Sequence, residues 1–134
     1  MKNERITAGL ITDLGPDEIF VFGSNTVGRH GRGAAKTAMK WGAKYGHGEG
    51  LVGRTYGLPT KGHDLSQSLS LAQIGGHVDR FLACARQAPA LTFLVTEIGC
   101  GLAGYRPKQI APLLAGAVAL ENIHLPAAFW RYLR

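Results

Sequence analysis

The chain predicts an α/β fold: three α/β/α layers around a mostly parallel or mixed central sheet. Three observations carry this. Short β-type apolar runs alternate with stretches whose apolar residues recur at helical spacing, the order expected of a mostly parallel sheet with helices on both faces. The best strand candidates, Glu18–Phe22 and Leu91–Thr96, are nearly continuous apolar runs, as strands buried on both faces require. Each runs into a glycine-rich turn that opens a helical pattern, and in such sheets ligands bind beyond the carboxyl ends of the strands.

In order along the chain, Pro16 and Asp17 halt the chain before the first strand, which ends at Gly23. After the glycine-rich turn Gly23–Gly33, the residues Ala34, Ala35, Ala38, Met39, Trp41 and Gly42 predict a helix over 33–44. Three glycines in five make 46–50 a loop. Leu51–Leu58 reads as a second strand, closed by Pro59. Ser70-Leu71-Ala72-Gln73 has the form of a capping box, and Leu71, Ile74, Val78, Phe81, Leu82 and Ala85 make one apolar stripe after it. Gly75-Gly76 costs that helix about 1 kcal/mol per glycine, so a late start or a kink is expected there. Beyond the strand at 91–96 and the turn Gly99–Gly104, Pro107 suits a first helical turn, with Ile110, Leu113, Leu114, Ala117 and Leu120 as the buried face. Asn122–Leu125 is expected to form a last short strand, and Phe129-Trp130 to dock the tail.

The 134 residues fit one domain, 1–134, with no internal repeat and no linker. Apolar residues at 46% suffice for a core, and 18% charged residues without like-charge runs argue against disorder. No apolar run reaches the roughly 18 residues of a membrane helix, and the start of the chain lacks the apolar segment of a secretory signal. Two cysteines, Cys84 and Cys100, are too few for a disulfide framework or a structural zinc site. The expected location is the cytoplasm, without membrane, metal or cofactor. Fifteen basic against nine acidic residues leave a net charge of +6, which favours phosphates, nucleotides or nucleic acid as partners. The plainer account of such a charge is solubility alone.

The 19 glycines concentrate in two clusters. The first, Phe22-Gly23-Ser24-Asn25-Thr26-Val27-Gly28-Arg29-His30-Gly31-Arg32-Gly33-Ala34, lets successive N–H groups form an anion nest beside two arginines, while Asn25 can bond sugar hydroxyls. Gly28 and Gly33 have P-loop spacing, but Ala34-Ala35 replaces the Lys-Ser/Thr. The second is Glu97-Ile98-Gly99-Cys100-Gly101-Leu102-Ala103-Gly104-Tyr105. Gly99, Gly101 and Gly104 match the dinucleotide fingerprint after a strand. The match would nevertheless begin a nucleotide unit about 35 residues from the end, leaving no chain for its second half. For both clusters the alternative is a turn that needs glycine only for close packing.

Together the clusters resemble the macrodomain superfamily, whose members bind ADP-ribose and related NAD metabolites. Phe22-Gly23-Ser24-Asn25 is similar to the strand ending Asn-Ala-Ala-Asn, and Gly31-Arg32-Gly33-Ala34-Ala35 to the following Gly-Gly-Gly-Val-x-Gly-Ala loop. Gly101-Leu102-Ala103-Gly104-Tyr105-Arg106-Pro107 is similar to the loop Gly-Ile-Tyr-Gly-Tyr-Pro, with one extra residue before the proline. The resemblance spans 18–121, and the chain looks most like the small macrodomain-like proteins of bacteria and phages. It implies that Asn25 bonds the distal ribose and that amides of Gly31–Ala34 and Gly99–Gly104 hold the diphosphate. It also implies that an ADP-ribosylated macromolecule is a candidate partner and ADP-ribosyl hydrolysis a candidate activity. Leu10 stands where many members carry the Asp that reads adenine, and the first loop has no carboxylate. Asn25 and His30 are then the catalytic candidates, with Lys61 and Glu97 as neighbours of the expected site.

Other constellations are weaker. His47-Gly48-Glu49 has the His-x-Glu form of zinc deaminases but no Pro-Cys-x-x-Cys accompanies it. His63-Asp64 reads as a turn. Cys100 lies in the second cluster, where amides would lower its pKa, yet no base is positioned by the sequence to make it a nucleophile. Tyr105 suits stacking on a ribose or base, or plain packing. The competing functional class is a basic RNA-binding domain without catalytic activity, which predicts steep loss of affinity with salt.

Overall fold

The computed structural model describes residues 5–133. Its strands are β1 (Ile6–Thr7), β2 (Glu18–Asn25), β3 (Gly50–Val52), β4 (Thr55–Lys61), β5 (Thr92–Val95) and β6 (Ile123–Pro126). The helices are α1 (Gly33–Ala38), α2 (Leu71–Gln87), α3 (Pro107–Ile110) and α4 (Ala127–Trp130). All six strands join one sheet in the order β1-β6-β5-β2-β4-β3, parallel except for the antiparallel edge pair β3–β4. The expected α/β class with a mixed sheet is what the chain adopts.

Strand β2 shows why the sheet needs cover on both faces. Ile19 and Val21 point into the larger apolar cluster, formed with α2, α3 and α4. Phe20 and Phe22 point the other way, against Ala35 and Ala38 of α1 and against Ala43. The two-residue period of a strand thus serves two cores from one apolar run.

Several boundaries differ from expectation for identifiable reasons. The run 51–58 is two antiparallel strands, because Gly53-Arg54 makes a two-residue hairpin with Val52 opposite Thr55 and Gly53 at φ +60°. Pro59 does not close β4. Strand β3 pairs only with Thr55–Gly57, so on that side β4 is an edge at Pro59, where a missing N–H costs no ladder bond. The first helix stops short of 44: α1 passes into a 3-10 turn at Met39–Trp41 that ends on Gly42 at φ +111°. A Cβ on Gly42 would lie 3.0 Å from the Gly53 Cα, so the helix end abuts the hairpin turn.

Helix α2 neither starts late nor breaks at Gly75-Gly76. Its capping box is complete: Gln73 N–H donates to Ser70 Oγ (3.1 Å), and Ser70 N–H donates to Gln73 Oε1 (2.9 Å). Burial of Ile74, Val78, Phe81, Leu82 and Ala85 offsets the glycine cost. The segment after Pro107 is helical for one turn and then a 3-10 helix over Ala111–Ala117. Ala111, Leu114 and Ala117 are buried at a spacing of three, the 3-10 repeat, and a Cβ on Gly116 would lie 2.9 Å from Leu82 Cδ1. Glycine there lets the segment approach α2 closely. The tail docks as expected, with Phe129 and Trp130 buried in α4. Among the described residues, no helix is long and apolar enough to cross a membrane.

Candidate functional site

Strands β2, β4 and β5 end side by side, and their carboxyl ends open on one cleft of about 790 Å³. The volume is that of an ordinary small-molecule site. From the first cluster it is lined by Gly23, Ser24, Asn25, Arg29, Gly31, Arg32, Gly33 and Ala34. From the second it is lined by Glu97, Ile98, Gly99, Gly101, Leu102 and Ala103. Distant from each other in the chain, the clusters form opposite walls, and they meet where a Cβ on Gly23 would lie 3.5 Å from Gly99 N.

The backbone of these walls is rich in available donors. In the first loop the N–H groups of Gly31, Arg32, Gly33, Ala34 and Ala35 find no acceptor among the described residues, and Arg32 caps α1 without a side-chain bond. In the second loop the same holds for Gly99, Gly101, Leu102 and Ala103. Other amides are engaged locally: Cys100 N–H donates to Glu97 O (3.1 Å), Gly104 N–H to Gly101 O (3.0 Å) and Tyr105 N–H to Gly99 O (2.8 Å). Three cationic side chains, Arg29, Arg32 and Lys61, and one carboxylate, Glu97, line the space. Such amides, several of them the ordinary unpaired donors of a helix's first turn, are met by water or by a bound ligand.

Asn25 faces the cleft with its carboxamide already engaged. Its Nδ2 donates to Arg29 O and its Oδ1 accepts from Arg29 N–H, both at 2.8 Å. One Nδ2 hydrogen and one Oδ1 lone pair remain. The side chain therefore first holds the loop 25–29 closed and presents Arg29. The hydroxyls around it are engaged too: Ser24 Oγ donates to Gly48 O, Thr60 Oγ1 to Ser24 O (3.3 Å) and Thr96 Oγ1 to Val21 O (2.8 Å).

Six of the expected residues do not line the cleft: Phe22, Gly28, His30, Cys100, Gly104 and Tyr105. Phe22 belongs to the α1-side core. His30 is 1% exposed, in edge contact with Phe22, and its Nε2 lies 3.1 Å from His47 O. Burial places it behind the first loop, outside the lining of the cleft, as a brace between that loop and residues 46–48. Gly28, at φ +72°, backs onto the same segment, where a Cβ would collide with His47 N and the Gly46 backbone. Its glycine serves chain packing, not ligand approach.

Tyr105 turns away from the cleft and donates its hydroxyl to Leu69 O (2.5 Å). With Ser68 Oγ donating to Ala103 O (2.5 Å), this anchors the second loop to the segment entering α2. Burial, with the nearby Glu97 charge, pushes the half-buried Cys100 thiol up to about 11, the reverse of the expected lowering. Leu10 is 81% exposed and also lies outside the lining. Glu49 pairs with His77 Nδ1 (2.8 Å) and Arg80 Nε (2.9 Å), tying the 46–49 loop to α2. Asp64 Oδ1 accepts from Ser66 N–H (3.0 Å) and Oγ (2.7 Å), the turn expected at His63-Asp64.

Tyr45, Thr60 and Leu65 also line the cleft, although no motif in the sequence points to them. Thr60 and Leu65 arrive because β4 continues through Pro59, and Tyr45 because the chain folds back after Gly42. No local pattern marks either event.

Comparison of the chain with models of protein families, with curated proteins and with solved structures found no match.

Proposed function

We propose that the cleft binds ADP-ribose or a related NAD-derived nucleotide, with the diphosphate held between the two glycine loops, as in a macrodomain-like protein acting in the cytoplasm. The observation that carries this reading is that nine residues whose backbone N–H groups have no internal acceptor, Gly31–Ala35, Gly99 and Gly101–Ala103, all line one cleft together with three cationic side chains. Amides fixed by the fold, with positive charge beside them, are suited to diphosphate oxygens. Glycine supports the arrangement at Gly33 and Gly99, whose φ values are +57° and +76°. The apolar lining at Ile98, Leu102 and Leu65 suits the flat face of a sugar or base.

For hydrolysis of an ADP-ribosyl bond, Glu97 takes the place of His30 as the residue to test, being the one carboxylate in the lining. Calorimetric titration with ADP-ribose, with AMP as control, at two salt concentrations tests the binding reading. Micromolar binding of ADP-ribose alone, little changed by salt, is expected. Absence of ADP-ribose binding overturns ADP-ribose as the ligand, and failure of NAD, NMN and ADP as well overturns the nucleotide reading.

A further inference from the structure

The surface beside the cleft carries an imbalance of charge that a small nucleotide does not use. Residues 19–48 hold no Asp or Glu but five cations: Arg29, Arg32, Lys36, Lys40 and Lys44. All five are exposed. Lys40 is engaged, with its Nζ 4.7 Å from the centre of the Trp41 ring and 3.4 Å from Thr12 O. The side chains of Arg29, Arg32, Lys36 and Lys44 make no ion pair or hydrogen bond with the described residues. Arg29 and Arg32 line the cleft, Lys36 follows them on α1, and Lys44 adjoins Tyr45 at the cleft wall. Unpaired cations that continue from the cleft, at Arg29 and Arg32, to Lys36 and Lys44 beyond it suit a polymer of phosphates.

Tyr45 distinguishes a nucleic acid from an acidic polypeptide. It lines the cleft, is 58% exposed, and touches His30 at 5.8 Å between ring centres in an edge-on contact, which leaves ring surface open. An open aromatic among cations is the pairing that holds single strands, where bases stack and phosphates meet Lys and Arg.

We propose that the ligand of this cleft is the nucleoside-diphosphate end of a single-stranded nucleic acid, whose next phosphates follow Lys36 and Lys44 and whose neighbouring base stacks on Tyr45. The inference rests on the nucleotide-binding reading above and adds the class of molecule that carries the nucleotide.

The test uses a 5′-adenylylated decathymidylate, whose 5′–5′ diphosphate mimics that of ADP-ribose, labelled at its 3′ end. Its affinity is compared with that of free ADP-ribose, in the wild-type protein and in a Lys36→Gln/Lys44→Gln variant, by fluorescence anisotropy and calorimetry. Both lysines are exposed and outside the lining, so the variant folds and keeps its affinity for ADP-ribose within about twofold, being altered only in charges that salt screens over roughly 8 Å. The oligonucleotide is expected to bind at least about tenfold more tightly than ADP-ribose, from stacking and added phosphate contacts. Its affinity is expected to fall about tenfold or more in the variant, with a salt slope shallower by roughly 1.4 for two lost phosphate contacts. Equal binding of the oligonucleotide by both proteins overturns the inference. So does displacement of the oligonucleotide by decaglutamate as effectively as by unlabelled strand. ADP-ribose binding without preference for the oligonucleotide overturns the inference and leaves the nucleotide site standing. Loss of both ligands in the wild type overturns both.

Discussion

The carboxamide of Asn25 bonds both backbone groups of Arg29, at 2.8 Å each way. One side chain at the end of β2 thus closes the first loop, which makes Asn25 a positioning residue of the cleft wall. Asn25→Ala removes two hydrogen bonds of about 1 kcal/mol each. The expected outcome is a loss of about 1–2 kcal/mol in stability by thermal unfolding, and about tenfold weaker ADP-ribose binding by calorimetry. Unchanged binding would show that the closed loop is not what the ligand reads.

Gly28 and Gly33 separate two uses of glycine. Both have positive φ, +72° and +57°, but a Cβ on Gly33 meets nothing within 4 Å while one on Gly28 collides with the backbone at 46–47. Gly33→Ala is expected to cost about 1 kcal/mol, mainly the left-handed backbone. Gly28→Ala is expected to cost more than twice that and to loosen the loop carrying His47. Equal midpoints in urea for the two variants would contradict this assignment.

Glu49 gives the fold an acid-sensitive tie. Burial raises its pKa, but hydrogen bonds from Arg80 and His77 and their charges outweigh this, and the net shift is downward from 4.5. A lowered folded-state pKa means a contribution present above the ordinary value and lost as pH falls through the folded one. Thermal midpoints of the wild type and Glu49→Gln should therefore differ at pH 7 and converge as pH falls below the ordinary Glu value and on through the lowered folded one. A gap that persists at low pH would show that the tie does not depend on the Glu49 charge.

Gly76 lies inside α2, and a Cβ added there would meet nothing within 4 Å. Gly76→Ala should therefore stabilise the protein by about 1 kcal/mol and leave ligand affinity unchanged. Destabilisation measured by urea unfolding would show that the helix uses the glycine in a way its open surroundings do not explain.

Much of this protein is legible from local patterns. The apolar run at 18–22, the Ser70–Gln73 capping box and the stripe from Leu71 to Ala85 each name an element, because hydrogen bonding and periodicity act over a few residues. The two glycine clusters likewise mark the walls of the cleft, since glycine at a strand's carboxyl end permits loops that longer side chains resist. Other features depend on contacts distant in sequence. Whether 51–58 is one strand or two turns on a hairpin at Gly53 packed against Gly42, and the one-turn length of α3 on how closely Gly116 meets Leu82. His30 and Asn25 look alike as loop residues, yet one is buried against Phe22 while the other lines the cleft with its carboxamide turned to Arg29. Residue type and spacing determined which elements form and where the loops that wall the cleft lie. Only the tertiary structure decided which side chains remain free to meet a ligand, because burial and hydrogen-bond partners come from segments that the local sequence does not contain.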